Sequence, residues 1–135
     1  MRLGELRGGA LHYDPDWQEL PLWLLAAGTG LAPLWGILRE ALRQGHRGEI
    51  RLLHVARDRA GHYLAEPLQQ LPGVKVELVL AEQMDDALAG LRLASRQTVA
   101  LVCGASGSVE RFARRLFIAG VPRGQVFADV FVEHA

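Results

Sequence analysis

The 135-residue chain has one cysteine, Cys103, few aromatics (7% of residues) and no net charge, with 15 basic and 15 acidic side chains in balance. A lone cysteine excludes an intramolecular disulfide and fits a reducing compartment. It also excludes an iron–sulfur cluster, which takes four ligands. Balanced charge offers no electrostatic reason to expect a nucleic acid or an anionic membrane as partner. The apolar run at 20–27 is far short of the ~20 residues that span a bilayer. The opening "MRLGELRGGA" lacks the apolar stretch of a signal peptide. We therefore expect a cytoplasmic protein with no nucleic-acid partner and no membrane insertion.

Two catalytic classes fall away with these. His12, His46, His54, His62 and His134 show no ligand spacing with Cys103 or with acids, so no metal site is expected. "CGASGS" places a serine after an apolar run but misses the last glycine of the G-x-S-x-G nucleophile elbow. Asp85 and Asp86 read as a helix N-cap rather than a catalytic pair, and Arg111, Arg114 and Arg115 as a solvated helix face or a docking surface for an acidic partner.

Half the residues are hydrophobic, enough for one core in one domain. Residues 1–19 have no period and carry Gly4, Gly8, Gly9 and Pro15; they read as loop with at most a short edge strand. After them the chain alternates. The run 22–27, apolar on both faces, reads as a strand buried in a parallel sheet, and the runs 50–56, 74–80, 98–103 and 125–130 read as further strands. Between them, Leu31, Leu34, Trp35, Leu38 and Leu42 form one helical stripe, and Val109, Phe112, Ala113, Leu116 and Phe117 another. A short helix is expected near Glu66 and Pro67, and a further one over 84–94. Ser106 or Ser108 is the expected cap of the last helix, and Gly120 with Pro122 its stop. This order predicts an α/β fold with a parallel sheet and helices on both faces. Ligands of such sheets sit beyond the carboxyl ends of the strands, where strand order reverses.

Attention therefore goes to Ala27-Gly28-Thr29-Gly30-Leu31-Ala32-Pro33, after the first strand. Two glycines permit positive φ and close backbone approach. The free N–H groups of the helix start favour an anion such as a diphosphate. Pro33 stands where the common dinucleotide fingerprint has its third glycine, yet a first-turn proline costs no hydrogen bond and its fixed φ suits helix entry. The close helix–strand packing which that third glycine allows has to be achieved differently here.

Three segments resemble one family. "AAGTGLAP" resembles the GTGxAP turn of the nicotinamide domain of ferredoxin–NADP reductases. "LHVARDRAGHYL" is similar to the family's second-strand ending, an arginine followed by an aromatic. "VALVCGASGSVERFARRLFIAGVPRGQVFADVFV" is similar to its CG-containing fourth strand, next helix, GVP turn and fifth strand. The resemblance implies a three-layer αβα fold with a five-stranded parallel sheet in the order 3-2-1-4-5, over 20–135. It implies that Gly28, Thr29, Gly30, Leu31, Ala32 and Pro33 cradle a dinucleotide diphosphate and that Arg57 meets a ribose or phosphate oxygen. Cys103, with Gly104, Ala105 and Ser106, would lie beside the nicotinamide and position it, the chemistry belonging to the cofactors. Asp129 and Phe131 match the family's acidic and aromatic residues near the end.

Departures are informative too. After the cysteine the family usually carries a proline and then a methionine; here Ala105 and Val109 stand. NADPH users usually have a serine–arginine pair after the third strand, whereas this chain has Ala81, Glu82 and Gln83. A carboxylate there repels a 2′-phosphate and can accept from ribose hydroxyls, which favours NADH. The family's flavin-binding barrel has no counterpart in this sequence; residues 1–19 look like the exit from it. FAD or FMN is thus expected in a domain upstream or in a partner chain, with an electron-acceptor protein downstream. The alternative is a non-catalytic nucleotide-binding or protein-interaction module that keeps the fold.

Overall fold

A computed structural model describes residues 11–93 and 95–131, the side chain of Phe131 excepted. Residues 1–10 of the expected barrel exit, and His134, lie outside the described residues. Five strands, β1 (Leu22–Ala27), β2 (Ile50–Ala56), β3 (Val74–Leu80), β4 (Val99–Ala105) and β5 (Val126–Phe131), alternate with four helices. These are α1 (Leu31–Arg43), α2 (Ala65–Gln69), α3 (Met84–Ala89) and α4 (Ser106–Ala119). All strand pairs are parallel, in the order β3-β2-β1-β4-β5.

The period-two alternation of the strands sorts their side chains onto two faces. Leu22, Leu24 and Ala26 share one core with Leu31 and Leu38 of α1 and Leu68 of α2. Trp23 and Leu25 share the other with Leu88 of α3 and with Phe112 and Leu116 of α4. Strand order reverses between β1 and β4, and α1 and α4 leave those neighbouring strands toward opposite faces. A crevice at their carboxyl ends follows from this topology. One row of paired residues crosses the whole sheet just below it: Leu78, His54, Ala26, Cys103 and Asp129.

The turn from β1 into α1 meets the β4 backbone at close quarters. A Cβ on Gly30 would stand 2.3 Å from the Cys103 carbonyl oxygen and 2.9 Å from the Gly104 nitrogen. Gly104, at φ 153°, leaves so little room that a Cβ would lie 3.1 Å from that of Ala27. Gly30 and Gly104 together therefore do the close-packing work expected of a third fingerprint glycine. Gly28 differs: its φ is +57° with nothing within 4 Å of an added Cβ, so its requirement is conformational.

Several expectations need correction. The helix expected over 84–94 ends at Ala89, because Gly90 and Leu91 turn back onto the carbonyls of Ala87 and Leu88 and Arg92 donates to the Ala89 carbonyl at 2.7 Å. Leu91 is still buried, as part of the turn. Asp85 and Asp86 lie inside the first turn of α3, whose cap position is Gln83, and Asp85 pairs with Arg111 at 2.6 Å. Ser106 is the first residue of α4 and neither serine caps it; Ala105 holds that position. Phe117 is 62% exposed, since the stripe Val109, Phe112, Leu116 already covers the sheet, and the Arg123 guanidinium lies 5.8 Å from its ring centre. Ile37 and Ala41 complete the buried face of α1, with Trp35 and Leu42 at its margin. β4 and β5 each start one residue later than expected and extend to Ala105 and Phe131. Residues 11–19 hold a 3-10 turn, Pro15–Trp17, and no edge strand. Trp17 packs on Phe127 with ring centres 5.4 Å apart. Among the described residues no helix is long and apolar enough to cross a membrane.

These two kinds of glycine predict different costs. Gly30→Ala should lower stability by about 2 kcal/mol or more, because backbone must move. Gly28→Ala should cost at most about 1–2 kcal/mol, the left-handed penalty alone. Urea denaturation of both variants checks this; equal losses would contradict the packing role of Gly30.

Candidate functional site

Gly28–Gly30 forms a single 3-10 turn that runs straight into α1. The Leu31 N–H is spent inside it, on the carbonyls of Gly28 and Thr29, and the Leu31 side chain is fully buried. Thr29, Ala32 and Pro33 are exposed. The cap position of α1 is Gly30, which has no side chain to accept from the helix N–H groups, and that of α4, Ala105, has none either. At the reversal of strand order the two long helices thus begin side by side with donors no side chain satisfies. The residues around them are small: Gly28, Thr29, Gly104, Ala105, Ser106 and Gly107. Small residues, two helix starts without side-chain caps and two helix dipoles fit a diphosphate.

The other expected residues lie along the same edge of the sheet. Arg57 follows β2 and is exposed. No ion pair ties it to Asp58 among the described residues; the Asp58 carboxylate accepts from the Gly61 N–H at 3.1 Å and caps the next turn. Glu82 follows β3, next to β2, and is exposed. Gln83 beside it is occupied, its side-chain oxygen accepting from the Leu80 N–H at 3.0 Å. Asp129, buried, pairs in register with Cys103, and Phe131 with Ala105.

Cys103 has no exposed surface and sits in the core under α1. Burial, and then the Asp129 carboxylate, push its thiol up to about 12. Such a thiol is neutral at physiological pH and is no nucleophile. It is the Cys103 carbonyl and the Gly104 backbone that reach the glycine turn.

Sequence reasoning passed over the polar residues behind the turn. His54, fully buried in β2, places Nε2 2.9 Å from the Gly28 carbonyl oxygen. A carbonyl only accepts, so Nε2 carries the proton. His62 puts its Nε2 3.0 Å from the Val79 carbonyl and 3.2 Å from that of His54, donating across the ends of β2 and β3. The rings of His62 and Tyr63 stand edge-on to His54, with centres 5.1 and 5.9 Å away. Burial raises the Tyr63 phenol above its usual value while the Ala32 backbone opposes this, which puts the phenol near the first turn of α1. A histidine inside the apolar run "IRLLHVA" was the available signal, because a buried imidazole needs a partner.

A model of the oxidoreductase NAD-binding domain matches residues 24–114. The reductase subunit of an Amycolatopsis aromatic O-demethylase is 39% identical over 88 residues, covering 61% of this chain and 26% of that protein. The ferredoxin reductase component of a Rhodococcus rhodochrous 3-ketosteroid-9-alpha-monooxygenase is 30% identical over 128 residues, covering 88% and 36%. The chain thus spans roughly a quarter to a third of these relatives' lengths. The fold matches the FAD/NAD-binding domain of nitric oxide dioxygenase from Vibrio cholerae with a TM-score of 0.74 at 24% identity, over 84% of this chain and 52% of that one. These matches agree with the resemblance carried by the three sequence segments.

Two measurements check the burial of this site. Cys103 should stay unlabelled by iodoacetamide at pH 7.5 in the folded chain and react once urea unfolds it; labelling at the same rate in both would contradict its burial. His54 is held below its ordinary 6.5 chiefly by burial, against the opposing effect of its bond to Gly28, and burial lowers His46 in the same way. Both rings then take up protons less readily in the folded chain than in the unfolded one. The stability that these two rings contribute is therefore fully present above pH 6.5 and is lost as the pH drops below it. Urea midpoints at pH 7.5 and 5.5 should show this, and His54→Gln should flatten the slope in part. A higher midpoint at pH 5.5 would reverse the sign.

Proposed function

We propose a role for this chain from one premise: it belongs to the oxidoreductase NAD-binding domain family. In our reading it holds NAD(P)H at the β1–β4 crevice and presents the nicotinamide to a flavin carried by another domain. The observation that carries this is the pair of helix starts without side-chain caps, α1 and α4, meeting over a backbone contact that only Gly30 and Gly104 permit. Gly28, Thr29, Gly30, Ala32 and Pro33 would line the diphosphate, with Leu31 anchoring the turn from below. Arg57 and Glu82 would face the adenosine ribose. Gly104, Ala105 and Ser106 would flank the nicotinamide, with Cys103 packed behind them and Asp129 and Phe131 at the β5 side. The bound dinucleotide would supply a hydride and the flavin, FAD or FMN, would accept it; the chain's own part is to bind, orient and exclude water.

The first 19 residues would be the exit from the flavin-binding unit, which would sit upstream or in a partner chain. The two relatives, named as reductase components, support an acceptor protein downstream. Glu82, exposed after β3, supports NADH over NADPH, because its carboxylate repels a 2′-phosphate and can accept from a ribose hydroxyl. Ala105 in place of the family proline keeps a second reading alive, a nucleotide-binding module without hydride transfer.

Calorimetric titration with NADH, NADPH and ADP-ribose tests the site. Binding of NADH and ADP-ribose below millimolar is expected, with NADPH weaker. A folded chain that binds none of them would overturn the assignment. Glu82→Arg should shift the NADH-to-NADPH affinity ratio toward NADPH by about tenfold, equal to ~1.4 kcal/mol. An unchanged ratio would remove Glu82 from the ribose.

A further inference from the structure

We infer that His54 is the positioning residue of the glycine turn: its imidazole holds the Gly28 carbonyl inward, so that the Thr29 N–H is fixed outward, toward a diphosphate. This rests on the reading of the turn as a diphosphate site.

The geometry is that of a single peptide unit. The Gly28 carbonyl and the Thr29 N–H belong to one planar group, and no peptide bond among the described residues is cis. In a trans peptide the carbonyl and the next N–H point in opposite directions. Gly28, at φ +57°, would meet nothing within 4 Å of an added Cβ, so no contact on that side of its α-carbon sets the direction of this peptide. What holds it are two donors to one oxygen: the Leu31 N–H within the turn, and His54 Nε2 at 2.9 Å from the strand below. The second belongs to the sheet and ties the turn's orientation to it.

His54 is itself locked. Its ring is fully buried and flanked edge-on by His62 and Tyr63, and His62 is bound to the carbonyls of His54 and Val79. Its neighbour in the row, Ala26, is small, which leaves space for the turn above. Core packing alone does not account for a histidine here. The buried Nδ1 finds no partner among the described residues. An unpartnered buried polar atom costs at least as much as one hydrogen bond returns. An aliphatic residue would serve the core at least as well; only an N–H donor serves the Gly28 carbonyl.

The test compares the full chain with its His54→Leu and His54→Gln variants. Leucine removes the donor; glutamine can keep an amide N–H near the place of Nε2. The probes are ADP-ribose, which has a diphosphate, and AMP, which has none, titrated by calorimetry and by amide shifts in 15N NMR. His54→Leu should weaken ADP-ribose by about tenfold or more and AMP by less than about threefold, while His54→Gln stays within about threefold of the parent for both. The parent imidazole should show the Nε2–H tautomer in its 15N shifts. Equal loss for both nucleotides, wild-type ADP-ribose affinity in a folded His54→Leu chain, or an Nδ1–H tautomer would each overturn the inference. Should His54→Leu fail to fold, the parent tautomer and the affinities of His54→Gln decide. Should the parent not bind ADP-ribose, the nucleotide reading fails. The tautomer, with the Thr29 amide exchange rate in parent and variant, then still tests whether His54 orients the turn.

Discussion

One steric contact governs the architecture of the candidate site: the start of α1 lies directly against the backbone at the end of β4. The Cys103 carbonyl and the Gly104 nitrogen occupy the space that any side chain on residue 30 would need. That approach seats the start of α1 against the end of β4, beside the start of α4, and neither helix start has a side-chain cap. A bulkier turn would separate the helix starts and scatter the donors that now converge.

Around this contact the electrostatics are arranged in layers. Outermost are exposed groups, Arg57 and Glu82, at the ends of neighbouring strands. Next come main-chain donors with no side-chain cap. Beneath lie neutral buried groups: a thiol pushed up to about 12 by burial and a histidine whose basicity burial lowers. The thiol and the imidazole beneath the turn are thus neutral, with the buried Asp129 carboxylate beside the thiol in the same row. A low-dielectric floor of this kind strengthens the pull of the oriented N–H groups on an anion.

The sequence made the layered fold legible because β1, β2 and β4 are largely apolar on both faces, β3 alternates apolar and charged residues, and glycine or proline marks many of the breaks. The bounds of β1, β2 and β3 could be read to the residue for that reason. Errors fell where local pattern competes with tertiary placement. The apolar spacing of Leu88 and Leu91 continues past Ala89 while the backbone turns at Gly90. Phe117 fits a helical stripe but extends beyond the sheet that would cover it. Ser106 has the chemistry of a cap, yet β4 runs on to Ala105 and takes that position. In the site, the glycine turn was visible as a motif. The function of Gly30 as a spacer was not, because its partner, β4, lies more than 70 residues away in the chain. His54 was visible as an anomaly in an apolar strand, but its partner became clear only with the register of β2 against β1.

That register has a consequence for how the chain reaches its native state. In the row Leu78, His54, Ala26, Cys103, Asp129, a misalignment of β2 by one residue would turn the imidazole toward the opposite layer. It would also bring Leu53 or Val55 under the Gly28 oxygen. Neither aliphatic residue can donate, and the displaced ring would be stranded among Leu88, Phe112 and Leu116 without an acceptor. Leucine-rich strands such as β1 and β2 discriminate poorly between alignments on hydrophobicity alone, since both of their faces are greasy. The lone imidazole gives the sheet a polar checkpoint, favouring one alignment during folding over its neighbours.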